Sequence, residues 1–276
     1  MELSWFESIL YGIISGLTEF LPISGEAHRA VFLRLIGAEA PLLMRFMVHL
    51  GMLLAVLITC WPIISKLNRE RKIAAVKKKR RRREPDERSL TDIRFLRTSS
   101  IALVILFILY PSVYDLYERL WILAGFLILN GILLYLPQFL PGANKDSRTM
   151  SSLDGTVIGT SGGLGVIPGL SRVGLVTSVS LMRGAEKRYA LDTAMLLSIP
   201  ALAVLLVLDL VAVCSAGAAL TFVAVLLCIC SGIFAFVSGF VGMYIMRFLA
   251  VRVGFSGFAY YSWGLALFSF ILYLLI

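Results

Sequence analysis

A ten-residue phrase occurs twice in this chain and constrains its fold more than any other feature. Residues 15–24 read SGLTEFLPIS, and residues 162–171 read GGLGVIPGLS. Gly16, Leu17 and Ser24 recur as Gly163, Leu164 and Ser171 at an offset of 147, and Gly37-Ala38-Glu39 recurs as Gly184-Ala185-Glu186 at the same offset. Both copies put Gly, Pro and Ser inside an apolar stretch, where a plain spanning helix has no use for them. The chain is 59% hydrophobic with a mean hydropathy of +0.88, against about 45–50% apolar residues in soluble domains. Broken, repeated segments in such a chain predict a polar site built inside a bilayer.

Charge is segregated. The net +9 resides in residues 66–97, which hold 14 Lys/Arg and 5 Asp/Glu; the remaining 12 basic and 12 acidic residues cancel. The tract Lys77-Lys78-Lys79-Arg80-Arg81-Arg82-Arg83 is read as a cytoplasmic loop that obeys the positive-inside rule and touches anionic lipid, not as a nucleic-acid site. Cys60, Cys214, Cys228 and Cys230 show neither metal-ligand spacing nor a disulfide pattern. No Lys or Arg precedes the first apolar run, so no cleaved signal peptide is expected.

Roughly 20 apolar residues span a bilayer as a helix. Six segments qualify, at about 40–61, 98–115, 120–140, 190–213, 218–246 and 255–275. The apolar regions 4–35 and 153–182 are interrupted by the repeated phrase and are read as re-entrant helical hairpins. The expectation is therefore one all-α polytopic membrane domain over residues 1–276, with six transmembrane helices and two re-entrant hairpins in an inverted-topology repeat. Repeat 1 covers about 4–61, the basic cytoplasmic loop about 62–97, and repeat 2 about 153–213. With the basic loop inside, Lys145, Arg148, Arg183, Lys187, Arg188, Arg247 and Arg252 also fall inside, and both termini fall outside. Arg29, Arg34 and Arg45 are left outside against the charge rule, as exceptions or as groups serving an anionic ligand.

Several residues on or beside the two phrases can carry chemistry. Glu19 is a carboxylate in an interrupted apolar helix, which costs about 2.5–3.5 kcal/mol without a partner or a wet pocket. His28 lies nine residues on, across the break, with acid, base or nucleophile chemistry near neutral pH; His49, mid-span, is read as a packing residue. Arg172 follows Pro168-Gly169-Leu170-Ser171, and its guanidinium suits phosphate oxygens. Ser171 and the helix N-terminus that follows add donors. Together these groups predict a phosphate or pyrophosphate site for an amphiphilic lipid. Residue types and spacing alone do not separate hydrolysis from transport.

Gly16-Leu17-Thr18-Glu19-Phe20-Leu21-Pro22-Ile23-Ser24, with His28 four residues on, resembles the first signature of the bacterial undecaprenyl-pyrophosphate phosphatase family of the bacitracin-resistance type. Pro168-Gly169-Leu170-Ser171-Arg172, followed by Gly174, resembles its second. The resemblance implies a plasma-membrane hydrolase that removes the terminal phosphate of undecaprenyl pyrophosphate and so recycles the cell-wall lipid carrier. It implies catalytic roles for Glu19, His28 and Arg172 and a divalent cation, Mg²⁺ or Ca²⁺. By their place in the two phrases, Thr18, Ser24, Glu26, Gly169 and Ser171 are expected to contact substrate, and Glu19 with Glu26 to hold the cation. Dimers are described for the family. A non-hydrolytic transporter, flippase or binding protein for polyprenyl phosphates is the competing expectation. The chain departs from the family's pattern at three places: Ser15 stands for an acidic residue, Gly25 for a second Ser, and Val173 for the Ser after the motif Arg. Glu26 is a new carboxylate.

Overall fold

A computed structural model describes residues 3–81, 83–140, 145–146, 149–217, 221–252 and 255–275. Arg82, Arg148 and the side chain of Arg252 lie outside the described residues. The elements are α1 (Trp5–Glu19), α2 (Gly25–Ile36), α3 (Leu42–Ala75), α4 (Glu87–Phe107), α5 (Tyr110–Val113), α6 (Leu120–Tyr135), α7 (Ser152–Gly163), α8 (Arg172–Met182), α9 (Lys187–Ala216), α10 (Phe222–Arg252) and α11 (Ser256–Leu275). Among the described residues there is no strand, only an isolated bridge between Lys145 and Ala185.

The repeat is written into the helix ends. A capping box starts α1, with Ser4 and Glu7, and another starts α7, with Ser151 and Asp154; the offset is again 147. Ser24 caps α2, accepting from the Ala27 N–H, and Ser171 caps α8, accepting from Gly174. Gly37 and Gly184 both sit at positive φ, 62° and 91°, just past the ends of α2 and α8.

Packing exchanges partners between the halves. Helix α1 lies along α10 and α7 along α4; α3 and α9 touch each other and lie against α10 and α4 respectively, while α6 pairs with α11. Two equivalent glycines permit the closest approaches. A Cβ on Gly12 would collide with the Ser231 carbonyl of α10, and one on Gly159 with the Ser99 carbonyl of α4. Small residues at such crossings are how helices associate where lipid removes the hydrophobic drive. Gly12 and Gly159 are 147 apart but Ser99 and Ser231 only 132 apart. The first half thus carries 15 more residues between Glu39 and Ser99 than the second carries between Glu186 and Ser231, and the basic segment lies in that stretch.

Five helices are long and apolar enough to cross a membrane: α3, α9, α10, α11 and α6 with its extension to Phe139. The sixth expected span, 98–115, is not one straight helix. Glu87–Phe107 and Tyr110–Glu118 meet at 49°, because Pro111 has no N–H with which to continue the ladder. The basic segment 62–97 is mostly helical and not a loop: α3 runs on to Ala75 and α4 starts at Glu87. Lys, Arg and Glu are good helix formers, although they add no apolar signal. Large apolar side chains such as Phe6, Trp61, Val207 and Phe222 are exposed on the outside, as a lipid-facing surface requires. The molecule is an all-helical, multi-pass membrane protein.

Candidate active site

The breaks in the two repeated phrases meet. Glu19 ends α1, Arg172 begins α8, and Glu19 Oε1 lies 2.9 Å from Arg172 Nη2. Arg172 is buried at 5% exposure, and the Glu19 side chain is 9% exposed. Asn130, fully buried on α6, binds the two breaks together. Its amide donates to the Pro22 carbonyl (3.1 Å) and to Ser262 Oγ of α11 (3.0 Å), while its Oδ1 accepts from the Ser171 N–H (2.9 Å). Ser171 Oγ also donates to the Leu21 carbonyl, at 3.2 Å. The second phrase reaches this point through Gly169, whose φ of 88° is open to glycine and strained for other residues.

From this contact a ladder of alternating charge runs through the core. Glu19 Oε2 lies 3.6 Å from Arg29 Nη2, and Arg29 pairs with Glu26 on the same helix. Glu26 Oε1 lies 3.8 Å from His49 Nε2, and His49 Nδ1 lies 2.5 Å from Asp209 Oδ2 of α9. Arg45 closes the far end, 3.0 Å from Asp209 Oδ1, with its guanidinium over the Tyr114 ring at 4.4 Å. The ladder lines two adjoining cavities. Glu19, Gly25, Ser171 and Arg172 line the first, Arg29, Arg45 and His49 the second, and Glu26, Tyr110 and Tyr117 both. Buried charges survive only when paired, yet some donors stay unspent: Arg172 Nε, Arg29 Nη1 and His49 Nε2 make no hydrogen bond. Such donors on cavity-lining residues are of the kind that suits acceptor oxygens.

The residues expected from sequence divide accordingly. Glu19, Glu26, Ser171 and Arg172 come together. Ser24 lies beside them as the cap of α2, at a strained φ of 63°. Thr18 turns its hydroxyl to the Ile14 carbonyl of its own helix (2.6 Å), and Gly169 shapes the turn against α6. His28 does not line either cavity: Nδ1 faces the Ser24 carbonyl and Nε2 the Tyr261 hydroxyl, each at 2.8 Å. His49, read as packing, stands in the ladder instead. Asn130 and Asp209 were missed, though each is a lone polar group in an apolar run, which is itself a signal. Arg29 and Arg45 had shown theirs by violating the charge rule.

Glu19 and Glu26 do not fit a divalent ion in this arrangement. Each already faces a chain cation, Arg172 and Arg29 for Glu19, Arg29 for Glu26. No group of three or more His, Cys, Asp or Glu side chains is placed to hold a metal among the described residues. Ser15, where the family pattern has an acid, donates its hydroxyl to the Tyr11 carbonyl at 2.6 Å.

Fold and site together define a polytopic membrane protein with a buried site in which arginines and carboxylates meet. The model of the family "Bacitracin resistance protein BacA" matches residues 8–268, and the chain belongs to that family. Among similar proteins, the undecaprenyl-diphosphatase of Halothermothrix orenii is 30% identical over 261 residues, 94% of each chain. That of Carboxydothermus hydrogenoformans is 29% identical over 263 residues, 94% of this chain and 93% of its own. That of Micrococcus luteus is 34% identical over 206 residues, 72% of each.

Proposed function

We propose that this protein hydrolyses undecaprenyl pyrophosphate to the monophosphate and inorganic phosphate in the bacterial plasma membrane. The observation that carries the reading is the Glu19–Arg172 contact, which joins the two breaks in one cavity beside the capped start of α8. An incoming terminal phosphate displaces the Glu19 carboxylate from Arg172. The guanidinium and the first N–H groups of α8 then hold the phosphoryl oxygens. The released carboxylate stands beside the phosphorus and takes a proton from the attacking water. The new P–O bond forms in line with the bridging P–O bond that breaks, and the lipid monophosphate leaves as an anion. Arg172 neutralises charge on the transferring group, which is where phosphoryl transfer is helped most.

In the topology that suits this reading, α1–α2 and α7–α8 are re-entrant hairpins entering from opposite leaflets among six spans. Both termini then lie outside, and the basic segment lies in the cytoplasm against anionic lipid. The exchanged packing of the two halves and the placement of positive charge support it. The test is phosphate release from C55 pyrophosphate by the purified protein in detergent. Release that is lost in Glu19→Ala and Arg172→Ala is expected. Lipid binding without any release in the unaltered protein would replace the hydrolase with a carrier.

A further inference from the structure

We propose that Arg29 supplies the positive charge that a divalent cation would otherwise bring, so that this site takes up and turns over its lipid pyrophosphate without a metal. The inference rests on the pyrophosphate reading proposed above and names the cation in that site.

Arg29 is 4% exposed, on the second turn of α2, and its guanidinium lies between the two carboxylates that a metal would need. Glycine at position 25 helps to make this arrangement. A Cβ there would stand 2.9 Å from Glu19 Oε2, the oxygen that faces Arg29. A side chain at that position would crowd Glu19 away from the guanidinium. The charges of Arg29 and Arg172 balance those of Glu19 and Glu26, so these four groups sum to zero. A dication added there would face two guanidiniums, and such repulsion is weakly screened away from water. Mg²⁺ beside a phosphate still calls on one or two free carboxylates, and here both Glu19 and Glu26 are committed to guanidiniums. An anion meets the opposite situation. Arg29 Nη1 and Arg172 Nε are buried donors without acceptors, on residues lining two cavities that share Glu26. The two phosphoryl groups of a pyrophosphate match these two guanidiniums.

The test measures binding of C55 pyrophosphate and phosphate release by the full-length protein in detergent, with a chelator and then with excess Mg²⁺ or Ca²⁺. The unaltered protein is expected to bind and release equally in both. Arg29→Gln should lose about 10²-fold in rate under chelator, the order of one lost transition-state donor, and regain part of it when the cation returns. Arg29→Lys, which keeps the charge, should stay indifferent to the cation. Should Arg29→Gln fail to fold, the unaltered protein and Arg29→Lys decide the matter. Binding or release that requires added Mg²⁺ or Ca²⁺ in the unaltered protein overturns the proposal. Chelator-resistant binding with no release under any condition would refute the hydrolase reading and leave Arg29's role intact.

Discussion

Helices α1 and α2 bring Glu19, Glu26 and Arg29 into the site, whereas α7 and α8 bring Arg172 alone. Yet both pairs begin on capping boxes, break before a serine cap and end at a positive-φ glycine. The frame is held by groups that face backbone: Gly12 and Gly159 against carbonyls, and the serines against helix N–H groups. The ionisable side chains point elsewhere and can differ without disturbing it. A symmetric scaffold thus carries an asymmetric site, net acidic from α1 and α2 and basic from α8. Neither half could keep its charges buried alone.

The largest effect should come from separating those charges. Glu19→Gln and Arg172→Gln should each cost about 10²–10³ in phosphate release. Each should also destabilise the protein by about 3–5 kcal/mol, because the partner stays buried and unpaired. The double variant should recover much of the thermal stability in detergent and none of the rate. Stability losses that simply add would show that the pair does not exist.

Asn130→Leu comes next. It strips partners from the Pro22 carbonyl and the Ser171 N–H, at about 1–3 kcal/mol for each buried group. Melting temperature and rate should fall together, since both breaks are loosened. A variant with unchanged stability would place the junction elsewhere.

The frame itself is probed by Gly12→Ala and Gly159→Ala. Each forces a helix pair apart at a carbonyl, for about 1–3 kcal/mol of overpacking, and the two losses should be alike. A large loss at one glycine and none at the other would break the equivalence of the halves.

Within the first half, the two histidines should behave differently. His28→Phe gives up its hydrogen bonds to the Ser24 carbonyl and to Tyr261, worth about 0.5–1.5 kcal/mol each, and should keep most of the rate. His49→Phe leaves Asp209 to Arg45 alone and should lose rate. The reverse order, scored by phosphate release in folded protein, would move the chemistry to the other face of α2.

The smallest effect belongs to the basic segment, which the second half lacks. The Ser89 hydroxyl, with the Arg88 N–H and Lys66, holds the Asp86 carboxyl below the usual carboxylate range. Its contribution is therefore present above the unfolded pKa, about 3.9, and fades as pH falls through the lowered folded value. Asp86→Asn should remove that slope from melting curves taken in acid and leave phosphate release untouched at neutral pH.

The repeated phrase was enough to read two broken segments meeting at Glu19 and Arg172, because Gly, Pro and Ser in an apolar run have few other uses. Arg29, Arg34 and Arg45 stood out by charge placement, and two of the three lie in the ladder. The choice between histidines was not legible. His28 and Arg29 are neighbours in sequence but about 100° apart around α2, and only the packing of α11 shows that His28 faces Tyr261. His49 and Asp209 are separated by 160 residues, and a contact that distant leaves no trace in spacing. The helical character of 62–97 was hidden because hydropathy reports burial, not helix formation.

The most direct test is a structure of the protein with a non-hydrolysable pyrophosphate lipid bound. The account predicts the terminal phosphate on the Arg172 guanidinium at the start of α8, with the Glu19 carboxylate displaced toward the phosphorus and Arg29 against the headgroup. A headgroup seated beside His28 and Tyr261, with the Glu19–Arg172 pair still closed, would contradict it.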